Sequence, residues 1–307
     1  MVEPETAGCP ATGERWVRTG LRGRSAALAH RACPTTVGRL RRASGYGPRG
    51  HRPRLARKTH ADRDTPFRYI ARRRRSFVAA HHPRIRIDAP KRGRVGNVKN
   101  PGQRWCRTPT DVSTHDFPTD AVAQAVPCGV YDPQLNRGHV CVGTSGNTAD
   151  LAVDAVRDWW RQKGRRQYPG ATALLIEADG GGSNGATSRR LQFRLQAFAD
   201  ETGPAVTVCH CPPGAPRWNP IEHRLFSQIR ATWAGIVLAT RAVWIGLIRR
   251  TTTRTGLRVT ARQMTGAYPT GRKVSAAECK AIKLTRPATC PQWNYTIHPR
   301  TGGRNTE

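Results

Sequence analysis

Acidic residues are scarce in this chain: 20 Asp and Glu stand against 52 Lys and Arg, a net charge of +32 over 307 residues. That balance favours a polyanionic partner, nucleic acid above all. Lysine is scarce too, at 7 against 45 Arg. A GC-rich coding sequence produces the same bias, so arginine preference alone does not separate codon usage from phosphate recognition. No apolar run approaches the roughly 20 residues of a membrane span, which excludes an integral membrane protein. The opening Met1-Val2-Glu3-Pro4-Glu5 lacks the basic and apolar regions of a secretory signal, so a cytoplasmic location is expected. Aromatics make up only 7%, which weighs against an RNA-binding protein that stacks bases. The nine cysteines include no C-x-x-C pair and fit reduced thiols. Cys209-His210-Cys211 has two readings, zinc ligation or strand packing, and no second ligand pair at zinc spacing follows it.

What is present is unevenly placed. Residues 1–100 carry 25 basic and 6 acidic side chains, and residues 101–307 carry 27 and 14, so positive charge is densest in the first third. There, an apolar patch at 26–29, a break at Cys33-Pro34 and a second short helix over 35–44 ended by Gly45 read as a helix-turn-helix-like pair. Arg39, Arg41 and Arg42 lie on its second helix, the one that would enter a major groove. The other reading is a small helical pair with a solvated basic face. Residues 47–64 read as a linker, and 67–78 as a helix studded with arginines. Two units are expected: 1–60, a basic DNA-binding region and linker, and 61–307, a catalytic domain with its core at about 84–235 and a C-terminal extension.

Strict alternation marks Arg84-Ile85-Arg86-Ile87-Asp88 as a strand. A hairpin about Asp132-Pro133 follows, then a helix capped by Asn147, a buried strand at 173–176, a helix at 191–198, a strand at 205–208, and a helix opened by Asn219-Pro220. This order predicts an α/β fold, a ribonuclease H-like mixed sheet flanked by helices, preceded by the small helical N-terminal region.

Because acids are few, their positions carry information. Asp88 ends the first strand, Asp179 ends the run beginning at Leu174, and Glu222 sits in the first turn of a late helix. In that fold the two strands are neighbours and the helix crosses their ends, so three carboxylates would converge. Hard oxygen ligands in that number suit Mg²⁺ or Mn²⁺ and phosphodiester chemistry. Each acid also has a local reading: a turn acid at Asp88, an Asx-type loop starter at Asp179, a capping box for Glu222. Gly180-Gly181-Gly182-Ser183-Asn184-Gly185 lacks the Gly-Lys-Ser/Thr ending of a P-loop and instead permits close backbone approach beside Asp179. Arg189, Arg190 and Arg224 are candidates for DNA-backbone contact.

Several segments together resemble the Rhodopirellula-type DDE transposase family of bacterial insertion sequences. They are Ala178-Asp179-Gly180-Gly181-Gly182-Ser183-Asn184-Gly185, Phe198-Ala199-Asp200-Glu201-Thr202-Gly203, Cys209-His210-Cys211-Pro212-Pro213-Gly214 and Trp218-Asn219-Pro220-Ile221-Glu222-His223-Arg224-Leu225-Phe226. Thr251-Thr252-Thr253-Arg254-Thr255-Gly256-Leu257 and Trp293-Asn294-Tyr295 continue the likeness, which runs from about residue 10 to 299. The resemblance implies a metal-dependent transposase that cleaves element ends and joins them to target DNA, with Asp88, Asp179 and Glu222 as catalytic acids and Mg²⁺ (or Mn²⁺) as cofactor. It implies an N-terminal DNA-end-binding region and a homo-multimer on paired ends. Three departures stand out. Ala89-Pro90-Lys91-Arg92 replaces a Thr-Lys-Lys-like run after Asp88, Ser145-Gly146-Asn147 stands where the family tends to carry acidic or His residues, and family members usually extend further upstream, as expected if this is a truncated copy. An inactive DNA-binding remnant and a ribonuclease H-like nuclease are the alternatives.

Overall fold

Alternation along β1 (Arg84–Asp88) buries Ile85 and Ile87 on one face of a sheet and turns Arg84, Arg86 and Asp88 to the other. The computed structural model describes residues 34–46, 64–113, 123–211 and 220–300. By its contacts the chain divides into two compact units, Met1–Lys58 and Thr59–Glu307. In the first unit, helix α1 spans Pro34–Ala43 and stops where Gly45 takes a left-handed φ of 79°. The apolar patch at 26–29 lies outside the described residues, as does most of the stretch read as a linker.

The second unit begins with helix α2 (Thr65–Ala79), followed by β1, β2 (Gly93–Val95), β3 (Ala123–Asp132) and β4 (Arg137–Gly143). Helix α3 (Ala149–Trp159) follows, then β5 (Ala173–Ala178), α4 (Arg189–Thr202) and β6 (Ala205–His210). A π-helical turn (Glu222–Phe226) leads into α5 (Ser227–Thr232) and α6 (Arg241–Arg249). Strand β7 (Arg258–Gln263), helix α7 (Ala276–Lys280) and strands β8 (Leu284–Thr285) and β9 (Asn294–Ile297) complete it. The strands form one sheet in the order β7-β4-β3-β1-β5-β6-β9-β8, with β2 added alongside β3. Strand β1 is antiparallel to β3 and parallel to β5, and β5 is parallel to β6. A central first strand with a hairpin on one side and two parallel strands on the other is the ribonuclease H-like mixed sheet that the element order predicts.

Three differences from the sequence reading have local causes. Thr148, not Asn147, caps α3: its extended backbone lets its hydroxyl accept the Leu151 N–H at 3.4 Å. Strand β2 escaped notice because three residues are too short for a readable period. Strands β7 and β9 also went unread: β7, beside β4, alternates but buries only Val259 and Ala261, and β9, beside β6, spans just four residues.

Packing splits the core by face. On one side α3 and α4 cover Ile85, Ile87, Val130, Ile176 and Val208. On the other, Leu225, Phe226, Ile248 and Trp244 cover β3 and β4, while Tyr69, Ile70 and Phe77 of α2 cover Leu175 and Cys209. Strand β1 runs between these two coverings. Cys209 and Cys211 pack under α2, and burial pushes the Cys209 thiol up to about 12. His210 points the other way to the Trp293 and Asn184 carbonyls, at 2.7 and 2.8 Å. Strand packing is therefore the reading of Cys209-His210-Cys211 that the structure bears out. Among the described residues, no helix is long and apolar enough to cross a membrane.

Candidate active site

Register determines where the acids lie. Strands β1 and β5 pair in parallel through Ile87 and Ala178, so Asp88 and Asp179 each follow directly after one pair on adjacent strands. Two residues earlier on the same face, Arg86 is paired with Glu177. Glu177 is buried and accepts from Arg74 at 2.9 and 2.7 Å, and Arg86 Nη2 approaches it at 2.9 Å. Burial holds Arg86 down to about 10, and the Glu177 charge works against that shift. This cluster clamps the two strands one layer beneath Asp88 and Asp179. The sequence reading missed it, although two charged residues inside otherwise apolar strands are a signal for a buried pair.

The carboxylates differ in their surroundings. Asp88 is half-buried, and its Oδ1 accepts the Ala89 N–H at 2.7 Å. Asp179 is also half-buried; burial raises its pKa, opposed only by a backbone hydrogen bond. No Lys or Arg forms a salt bridge with Asp179 among the described residues, whereas several other described acids have one. After it, Gly182 adopts a φ of 62° and opens a 3-10 turn, Gly182–Asn184, whose last carbonyl His210 holds from below.

Glu222 begins the π-helical turn, and its Oε2 takes a 2.9 Å ion pair from the exposed Arg230. Asn219, the cap in the capping-box reading, lies outside the described residues. The turn is seated on the sheet at Gly129, the cross-strand partner of Asp88. A Cβ there would stand 2.6 Å from Phe226 Cζ and 3.2 Å from Leu225 Cδ2, so glycine admits this approach without displacing either side chain. Glycine inside a strand is the sequence signal for such contact. A cleft of about 700 Å³ adjoins the site, lined by Pro90, Lys91, Arg92, Glu222, Phe226 and Arg230 among others. All three acids thus lie on one face, two at adjacent strand ends and the third on the turn covering the next strand.

A family model described as the Rhodopirellula transposase DDE domain matches residues 1–299. The chain belongs to this family. It is an insertion-sequence transposase of the DDE type. No curated protein matches it significantly. Among solved structures it is similar to the Mos1 transposase paired-end complex with left transposon end, at 12% identity and a TM-score of 0.46, covering 76% of this chain and 70% of that one. The Mos1 strand transfer complex is similar at 13% and 0.44, covering 77% and 70%. The Mos1 mariner paired-end complex with Mn follows at 14% and 0.43, covering 76% and 71%.

In this transposase the arginines singled out from sequence have unlike settings. Arg39 and Arg42 are exposed on α1, and the Arg41 side chain lies outside the described residues. Arg189 and Arg224 are exposed beside the Gly-rich loop helix and the Glu222 turn. Arg190 instead makes a bidentate pair with Asp150 at 3.0 and 2.7 Å and lies over the Phe193 ring. Its guanidinium ties α4 to α3.

Proposed function

We propose that Asp88, Asp179 and Glu222 are the catalytic acids of this transposase, holding Mg²⁺ (or Mn²⁺) while element ends are cut and joined to target DNA. The observation behind this reading is that Asp88 and Asp179 each directly follow the Ile87–Ala178 pair on adjacent strands, with the Glu222 turn packed against Gly129, the cross-strand partner of Asp88. The donor set fits the ion: all the candidate ligands are hard carboxylate oxygens, and Asp179 has its charge unbalanced by any Lys or Arg salt bridge among the described residues. A bound divalent ion would supply charge stabilisation at the phosphodiester and ease deprotonation of an attacking water or 3′-hydroxyl.

The protein's own contribution is positional. The Arg86–Glu177 clamp keeps Asp88 level with Asp179, Gly182 lets the following loop turn away from the strand end, and Gly129 lets the Glu222 turn settle onto β3. Arg230 pairs with Oε2 of Glu222, which leaves Oε1 as the oxygen that would bind the ion. Residues 61–307 would form the catalytic domain, and residues 1–60, with exposed Arg39 and Arg42, would bind element ends. Arg41, Arg189, Arg190 and Arg224 complete the proposed DNA-contacting set, with Arg190 reaching DNA only by leaving Asp150. Pairing two ends calls for a multimer.

Replacing Asp179 by Asn tests the reading. Metal-dependent cleavage of an element end should disappear while DNA binding persists with its salt dependence intact. Retained cleavage refutes the assignment.

A further inference from the structure

The opposite face of the sheet carries a second cluster of ligand-type side chains, unconnected with the acids. His139 and Cys141 alternate along β4 and point toward α3, where Asp158 meets them. His139 Nε2 lies 2.8 Å from Asp158 Oδ2 and 3.6 Å from Cys141 Sγ, and Sγ lies 3.9 Å from the same carboxylate oxygen. His139 is 3% exposed.

The far side of the imidazole decides what this cluster needs. Nδ1 lies 2.8 Å from Thr260 Oγ1, and that hydroxyl donates to the Gly138 carbonyl at 3.4 Å. With its proton so directed, Oγ1 accepts, and Nδ1 carries the N–H. The Nε2 lone pair then faces a carboxylate and a thiol, so a cation must stand between them: a proton or a metal ion. Arg262 binds the other carboxylate oxygen at 2.6 Å, which orients Asp158 and leaves Oδ2 directed inward.

We propose that His139 Nε2, Cys141 Sγ and Asp158 Oδ2 form a three-ligand site for a divalent transition-metal ion, Zn²⁺ foremost, with water in the fourth position. Ordinary Zn–N, Zn–O and Zn–S lengths at tetrahedral angles place the donors about 3.3 to 3.6 Å apart. The two sulfur distances already lie near that range, and the His139–Asp158 contact has to open by about half an ångström as the ion replaces the shared proton. Binding releases two protons to solvent, one from the thiol and one from between imidazole and carboxylate. The resulting thiolate and carboxylate balance the ion's two positive charges. Mixed nitrogen, sulfur and oxygen donors suit Zn²⁺ or Co²⁺ rather than Mg²⁺, which separates this site chemically from the all-carboxylate one. Clefts of about 240 and 420 Å³, both lined by His139, Thr260 and Lys163, reach the imidazole from its Thr260 side. The ion would staple β4 to α3.

The test uses the full chain, freed of metal by dialysis against a chelator and titrated with Co²⁺. One equivalent should produce a thiolate-to-cobalt charge-transfer band with tetrahedral d–d absorption, and Zn²⁺ should bleach both. Carboxylates alone give no thiolate band, so the acidic site is silent in this assay. The band should vanish in Cys141→Ser and weaken at least tenfold in apparent affinity in His139→Ala. Zn²⁺ should raise the melting temperature of the parent chain and of neither variant. If Cys141→Ser does not fold, Asp158→Asn decides the matter by the same loss of affinity. A folded parent chain without the band overturns the proposal, as does a band unchanged in the variants.

Discussion

Gly129→Ala is the smallest change that should separate folding from catalysis in this transposase. The added methyl would lie 2.6 Å from Phe226 Cζ, 3.0 Å from Cε1 and 3.2 Å from Leu225 Cδ2. Carbon atoms rest at about 3.5 to 4.0 Å, so the Phe226 and Leu225 side chains must give by about 1 Å, and the expected outcome is that the turn carrying them withdraws with them. Overpacking of this kind costs about 1–3 kcal/mol, and replacing glycine inside a strand returns about 0.5–1 kcal/mol. The chain should therefore stay folded with a modestly lowered melting temperature. Glu222 stands on the displaced turn, and a misplacement of about 1 Å in a catalytic group costs about 10²-fold in rate. Cleavage of a labelled element end in Mg²⁺, measured beside DNA affinity and thermal unfolding, reads all three quantities. Trimming the obstruction with Phe226→Leu in the same chain should restore part of the rate. A folded Gly129→Ala that cleaves at the parent rate would refute the link between this contact and the position of Glu222.

Other perturbations follow from the same geometry. Asp179→Asn should raise the melting temperature at pH 7 while abolishing cleavage. Burial raises the folded pKa of Asp179, so its ionisation opposes folding above that pKa, and the amide removes the penalty; an unchanged or lowered melting temperature contradicts this. Glu177→Gln strands buried Arg86 without its counter-charge and should cost about 3–5 kcal/mol in urea unfolding; a loss under about 1 kcal/mol would show the clamp to be dispensable. Burial alone would raise Asp150 and Asp200, but the hydrogen bonds and charges of Arg190 and Arg300 override it and hold both below the usual carboxylate range. Their folded pKa values lie below the unfolded ones, so their stabilisation is complete above about pH 4–5 and fades as pH falls through the folded values. Arg190→Gln should flatten that acid limb of the stability curve, and an unaltered limb would remove Asp150 from the account.

Much of this molecule is legible along the chain because its signals are local. Period-two alternation at 84–88 and the apolar run at 173–176 need only neighbouring residues to be read, and they give the strands that carry Asp88 and Asp179. The scarcity of acids, and the motifs around Asp179 and Glu222, were enough to single out the candidate triad and the family. What depends on residues far apart had to wait for the fold. Glu177 looks like an accidental charge in a strand until Arg74, Arg84 and Arg86 are seen around it. Arg190 looks like a free cation until Asp150, 40 residues earlier, takes it. His139, Cys141 and Asp158 share no motif spacing, and only packing of α3 on β4 brings them together. Strands β7 and β9 offer short signals, two buried positions in one and four residues in the other, so the neighbours they pair with specify them more than their own pattern does. Local periodicity determined the elements and the acids they carry; long-range pairing decided which charges are neutralised, which glycines must stay glycine, and where side chains of unlike chemistry meet.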